Sequence, residues 1–353
     1  MERKNILIQV LKIIACIGVF NGHFLGLTLD SQMAMDFLGT LRNSWLSRTV
    51  LCLLFQGDTN VRLFFVVSGY LSLLSFKKAE TNIARKVVNR YIYLIIPSII
   101  VTLMCGVSWK IQELFAVPNI VFSITELVND LVKIVITGGI PYYSYQLWFI
   151  NDMCICIVLS LTMCLLHRNN EGKVIKILYA TICAIFSLRS MSCFSFFCGI
   201  IAAELTGKVI ISRKYRSIIC IICVFIFPFL FNEQHLNYYN IMALSICFAI
   251  ILMEIQNFRI TSVIDSQIME RERRKNIISF FEKNSYSFYL IHVFNLKTLI
   301  SNIYPILRNL IQNEIMLIGL LYVIAIFSTW ILADIFTKVI IVRIKNIFPM
   351  KVR

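Results

Sequence analysis

Apolar stretches, each near the length of a bilayer crossing, recur from residue 6 to residue 338 and leave little chain between them. A transmembrane helix needs about 20 mostly apolar residues, and inside hydrocarbon every backbone polar group must be bonded internally. By that measure the candidates are 6–29, 59–76, 91–109, 146–166, 174–190, 191–207, 217–231, 238–255, 284–303 and 315–338. The expected fold is an all-α integral membrane protein, a bundle of about ten transmembrane helices. Composition agrees, since 58% of the residues are hydrophobic and only 15% charged, against about 45–50% and about 25% in soluble domains. So little polar surface leaves a water-soluble globule uncovered, and it also excludes a disordered chain.

Lys12 interrupts the first apolar run and no small-residue cleavage site follows. Residues 6–29 are therefore expected to stay as a first membrane helix and not to leave as a signal peptide. The net charge of +15 would suggest nucleic acid in a soluble protein. In a membrane protein the placement of the basic residues decides, and no nucleic-acid partner is expected. With the N-terminus inside, these residues crowd into alternate connections: 3–4, 77–90, 168–176, 208–216, 259–283 and 338–353. The other connections hold only Arg42, Arg48, Lys110, Lys133, Arg189 and Arg308. That bias follows the positive-inside rule, with both termini cytoplasmic and the chain in the cell membrane. Residues 1–353 read as one polytopic domain without an appended soluble domain.

The 12 cysteines lie almost entirely within apolar runs, where free cysteine packs as a small hydrophobe. The pair Cys220 and Cys223 has no second pair and no nearby histidine, while zinc sites take about four ligands. No metal is expected.

Ionisable residues inside a membrane are costly, and each is a functional candidate for that reason. The first helix holds Lys12 and His23. Eleven residues at about 100° each bring the two to within about 20° of one face, separated by about 16 Å along the axis. Gly18, Gly22 and Gly26 recur on one side of the same helix and would let a backbone or a thin ligand approach. A snorkelling lysine and a histidine bonded between helices would account for the same pair. Asp58 and Arg62 stand four apart and would share a helix face. Asp152 is a carboxylate within an apolar run and needs a partner. His167 and His235 fall in polar connections and read as solvated.

The spacing from Lys12 to His23 resembles the Arg/Lys-x10-His signature of the acyltransferase 3 family of membrane O-acyltransferases. Three further segments are similar to the family's motifs, in order. "LFFVVSGY" (63–70) resembles LFFxxSG[FY], "YQLWFI" (145–150) resembles HLWF, and "SYSFYLIH" (285–292) resembles SxxxYLxH. Together they run from the first helix to residue 292.

The resemblance implies transfer of an acyl group, usually acetyl from cytoplasmic acetyl-CoA, to a hydroxyl of a cell-surface or lipid-linked carbohydrate. It implies His23 as the general base, with Lys12 and His292 in the catalytic group; Tyr289 and Lys297 stand near His292 on the same stretch. An imidazole is suited to the proton of a sugar hydroxyl, because its ordinary pKa lies near neutrality. No serine or cysteine sits in a nucleophile motif, which favours direct attack on the thioester. Ser68 and Gly69 match the family's small pair, and Trp148 lies at a helix entry as packing or acceptor platform. Coenzyme phosphates need fixed cations. The family's Arg-x-x-Arg before a proline-bearing helix points to Arg90, with Arg85 and Lys86 one turn earlier. Two departures stand out: Tyr93 replaces the second arginine, and Gln146 stands where the family often has histidine. The basic run 271–275 reads as a topology determinant or a lipid-headgroup patch.

Two other classes fit a polytopic chain with buried charges. A secondary transporter would show paired interrupted helices in two halves, and no such symmetry is evident. A catalytically inactive scaffold of a polysaccharide assembly system would keep the fold without the chemistry.

Overall fold

A computed structural model of the chain describes residues 6–28, 47, 49, 54–77, 83–115, 121–137, 139–169, 171–186, 190–206, 213–226, 238–257 and 272–348. Among them every regular element is a helix. These are α1 (Ile6–Thr28), α2 (Gly57–Lys77), α3 (Ile83–Leu114), α4 (Ile124–Val132), α5 (Trp148–Arg168), α6 (Lys173–Phe186) and α7 (Met191–Leu205). They continue as α8 (Arg213–Ile226), α9 (Tyr238–Asn257), α10 (Glu272–Asn302), α11 (Tyr304–Leu310), α12 (Glu314–Phe336) and α13 (Val342–Ile347).

Within the described residues, each expected crossing overlaps one of these helices. Three stretches are long and apolar enough to cross a bilayer: Leu7–Thr28, Val87–Leu114 and Glu314–Ile347. The pair Asn276–Asn302 and Tyr304–Leu310, bent by 45°, adds a fourth if it forms one span. The expected count of about ten is not confirmed among the described residues, where three of the helices at expected crossings are short. α6 and α8 have 14 residues each and α7 has 15. At about 1.5 Å per residue these described lengths fall short of about 30 Å of hydrocarbon.

The chain divides into two compact units. One comprises Met1–Gly22, Met35–Val87 and Ile155–Lys283; the other comprises His23–Ala34, Val88–Cys154 and Asn284–Arg353. In the first, α7 is the central element, packed by α2, α6 and α9. All of its residues except Ile201 and Leu205 are buried, as expected for a helix that is apolar all round. Glycines set how closely its neighbours approach. A Cβ on Gly69 of α2 would lie 1.9 Å from the Phe196 carbonyl oxygen, and one on Gly199 would lie 2.0 Å from that of Val66. Only hydrogen fits at either place. The α1 glycines act similarly: a Cβ on Gly18 would meet the Asn60 amide at 2.1 Å, and one on Gly22 the Gly57 nitrogen at 2.8 Å. Gly26 has open space around it.

In the second unit, α10 and α12 run antiparallel and are joined by polar pairs among apolar ones. Asn284 Nδ2 donates to Asp334 Oδ1 at 3.1 Å, the Ser287 and Thr337 hydroxyls meet at 2.6 Å, and Asn295 Nδ2 reaches Thr329 Oγ1 at 2.8 Å. Phe288 stacks on Trp330 with centroids 4.1 Å apart. Most of these polar groups thus find partners across the helix pair, as apolar surroundings demand, while the buried Asn284 Oδ1 has none among the described residues.

The connection between α3 and α5 is pinned by one carboxylate that the sequence gives no special prominence. Ser123 caps α4 by accepting from the Glu126 amide at 3.3 Å, the outcome expected of a Ser-x-x-Glu start. From the end of α4 the buried Asp130 accepts the amides of Tyr142 and Tyr143, each at 2.7 Å, with Lys133 Nζ 3.5 Å away. The chain returns through Gly139, at φ +122°, in the region glycine occupies without strain. Tyr143 then donates to the Ser123 carbonyl at 3.1 Å and accepts its amide at 2.8 Å. Burial pushes the Tyr143 phenol up from its ordinary pKa, so the proton it donates is retained. Charge-assisted bonds are worth about 1.5–3 kcal/mol each. Asp130→Ala is therefore expected to destabilise this connection by about 3 kcal/mol or more, with Asp130→Asn intermediate. Limited proteolysis between residues 115 and 145 checks it; a cleavage rate equal to wild type would mean the two bonds carry little.

Candidate functional site

The second unit gathers two histidines and a tyrosine from three distant parts of the chain. His23, half-buried, comes from α1, Tyr145 from the tight turn Tyr145–Leu147 that leads into α5, and His292 from α10. The His23 and His292 ring centroids are 5.1 Å apart. His23 Nδ1 and the Tyr145 hydroxyl are 3.3 Å apart, with the rings edge-to-face at 5.6 Å.

His292 is the more constrained of the two imidazoles. Its side chain is 1% exposed, and its Nδ1 lies 2.6 Å from the Tyr289 carbonyl oxygen. A carbonyl only accepts, so Nδ1 carries the hydrogen and Nε2 presents a lone pair in the neutral ring. Nε2 is buried and has no hydrogen-bond partner among the described residues. Aromatic rings hold the imidazole in place: Phe288 lies nearly parallel to it at 6.5 Å, and Tyr289 stands at 5.5 Å with Phe149 packed behind. A buried, oriented nitrogen lone pair beside a second imidazole is suited to positioning and accepting a proton.

A cleft of about 180 Å³ opens in the same unit, lined by Ser108, Trp109, Gln112, Tyr143, Lys297 and Ser301 among others. Lys297, one and a half turns beyond His292 on α10, carries its ammonium 5.6 Å from the Trp109 ring centroid and 4.9 Å from that of Tyr145. Both distances lie within the range of cation–π attraction. Tyr145 thus contacts both His23 and Lys297 of the cleft.

The other residues singled out in the sequence are dispersed. Lys12 is half-buried on α1 and belongs to the first unit. Asp58 is exposed, while Arg62 is buried and donates from Nη1 to Ser192 Oγ of α7 at 2.7 Å. The expected Asp58–Arg62 pair does not form, because Arg62 turns to the interior where α7 offers a hydroxyl. Ser68 is half-buried, and Gly69 forms the close contact with α7 described above. Arg85 is exposed and Arg90 half-buried, both in the first turns of α3; the side chains of Lys86, His167 and the run 271–275 fall outside the described residues, as does His235. Tyr93, where the family motif has arginine, donates to the Phe348 carbonyl at 2.9 Å. Trp148 and Asp152 are half-buried on α5, and Gln146 is buried. In "YQLWFI" it is Tyr145 and Phe149, not Trp148, that reach the histidine pair and its shell. Neither Trp109 nor Tyr145 carries a signal of its own in the sequence, since aromatic residues are common where apolar runs end.

Among the described residues no three histidine, cysteine or carboxylate side chains converge as a metal centre requires. A family model described as an acyltransferase domain matches residues 5–334, nearly the whole chain. No curated protein and no solved structure matches.

Proposed function

The chain belongs to the acyltransferase 3 family, and from that premise we propose a membrane O-acyltransferase that moves an acyl group, acetyl in the first instance, from cytoplasmic acyl-CoA to a hydroxyl of a cell-surface or lipid-linked carbohydrate. The observation that carries this reading is the meeting of His23, His292 and Tyr145 in one unit. A sugar hydroxyl is a weak nucleophile until a base takes its proton as the new bond forms. His23 is the base in this scheme. It is less buried than His292 and is hydrogen-bonded to Tyr145, whose ring lies under the Lys297 ammonium of the cleft. His292, neutral and fixed by the Tyr289 carbonyl, offers its Nε2 lone pair to orient the hydroxyl hydrogen.

The step balances without an added nucleophile. The acceptor oxygen bonds to the acyl carbon, the carbon–sulfur bond breaks, and the hydroxyl proton passes through His23 to the departing thiolate. Lys12 is assigned to orient the donor on the cytoplasmic side of His23. For the coenzyme phosphates, the guanidinium groups of Arg85 and Arg90 match the geometry that phosphate oxygens accept. Both lie at the start of α3, with Lys86 between them, and this basic connection belongs on the cytoplasmic side by the positive-inside rule. The same rule supports a multi-pass protein of the cell membrane with both termini in the cytoplasm.

Mass spectrometry of surface glycans from cells with and without the protein tests the reading. An acyl mass increment, about 42 Da for acetyl, present only in cells that hold the protein is expected on at least one sugar of the surface polymers. Identical glycan spectra, with the protein present at its normal level, would exclude it.

A further inference from the structure

Lys297 holds a position that the transfer chemistry leaves unexplained. It sits in the cleft between α3 and α10, and its contacts are the faces of Trp109 and Tyr145. Among the described residues no carboxylate pairs with it. Removing a cation from water costs free energy that two aromatic faces only partly recover. An anion entering the cleft would complete the pairing.

The rest of the lining indicates what carries that anion. Trp109 and Tyr143 stand edge-to-face at 5.2 Å and give the cleft aromatic walls, against which the C–H face of a pyranose packs. Ser108, Gln112 and Ser301 add donors and acceptors suited to ring hydroxyls. The volume, about 180 Å³, is below the roughly 300–1,000 Å³ of clefts that take drug-sized ligands. It suits a single sugar ring and is too small for a coenzyme. Tyr145 links this cleft to the chemistry, with its ring beneath the Lys297 ammonium and its hydroxyl 3.3 Å from His23 Nδ1.

We propose that this cleft is the acceptor subsite and that it selects an acidic sugar, whose carboxylate pairs with Lys297 while its ring lies against Trp109. The proposal rests on the acyltransferase reading above for its biological use, but the binding it describes stands independently. A sugar held at Lys297 projects its neighbouring hydroxyls past Tyr145 toward His23. Tyr145 is then the positioning residue between recognition and transfer.

The test is equilibrium binding to the purified full chain in lipid nanodiscs, without any acyl donor, read by tryptophan fluorescence. Methyl glucuronide and methyl glucoside are the probes, differing at the carboxylate. Wild type is expected to bind the glucuronide at least about tenfold more tightly, the least that one charge-assisted contact supplies. Lys297→Gln should abolish that preference, Lys297→Arg should keep most of it, and Trp109→Phe should remove the fluorescence response. Equal affinity for the two sugars in wild type, no saturable response to the glucuronide, or a preference that survives Lys297→Gln would each overturn the proposal. So would a Lys297→Gln protein that loses acetyl-CoA affinity with its sugar preference intact, because the cation would then serve the donor. Binding needs no turnover, which keeps the two readings separable. A chain that prefers the glucuronide yet transfers nothing overturns the acyltransferase reading alone, and one that acylates glycans without the preference overturns the subsite alone.

Discussion

His23→Gln is expected to lower the acyl-transfer rate about 10²–10⁴-fold while the protein stays inserted at its normal level. Glutamine retains much of the volume of the ring and can still bond the Tyr145 hydroxyl, so the contact at 3.3 Å need not be lost with the base. What glutamine lacks is a nitrogen that takes a proton near neutral pH. His23→Ala should show the same kinetic loss with an added packing defect. His292→Gln separates the two imidazoles. An amide nitrogen can replace the donation to the Tyr289 carbonyl, but not the lone pair at Nε2, so a smaller loss is expected from a residue that orients than from one that accepts. Lys12→Arg should keep part of the activity and Lys12→Ala should not. Single-turnover transfer in nanodiscs, with melting temperature measured in parallel, reads all of these. Wild-type turnover by His23→Gln would make the histidine a packing residue and remove it from the mechanism.

A second large effect is expected where no chemistry occurs. Gly69→Ala places a methyl group 1.9 Å from the Phe196 carbonyl oxygen, and Gly199→Ala does the same 2.0 Å from that of Val66. Both obstacles are main-chain atoms within helices and have no rotamer to retreat into. α2 and α7 must then separate along their contact. Overpacking in a close-packed interior costs about 1–3 kcal/mol and occasionally more; at a backbone contact the upper part of that range is expected. Because α7 also supports α6 and α9, the loss should spread through the unit and appear as a lower melting temperature and less folded protein after extraction. Gly26→Ala meets open space and serves as the control. Equal melting temperatures for Gly69→Ala and Gly26→Ala would mean that the two helices are not held as closely as described.

The approximate positions of the helices were legible because apolar runs and basic connections mark them. Their ends were not, since α3 begins at Ile83 and α10 at Glu272, before the expected 91 and 284. Nor were their partners. Arg62 bonds to Ser192, 130 residues away, while the nearer Asp58 faces outward; helical spacing predicts who shares a face but not which face turns inward. The same limit applied at "YQLWFI". Trp148 has the larger ring, but the tight turn at Tyr145–Leu147 sets where the preceding tyrosine points, and one sequence holds no record of that rotation. The histidines were legible as residues and not as neighbours, since His23 and His292 stand at opposite ends of the family motifs and meet only in the folded unit. Gly18 and Gly22 were read correctly as places of close approach, whereas Asp130 is one carboxylate in a polar connection until its two amide contacts are seen.

The hydrogen bond from His292 to its own helix has a consequence for the route of charge. With Nδ1 committed to a main-chain carbonyl, the ring has one working end. It cannot take a proton on one side and release it on the other, as an imidazole in a proton wire does. In the proposed scheme, a proton taken by His23 has no onward exit through His292 and leaves with the departing thiolate. Acyl transfer by that route would carry no net charge through the bilayer. Its rate should therefore be indifferent to a voltage or a pH gradient imposed across sealed proteoliposomes, provided that the pH at the site itself is held constant.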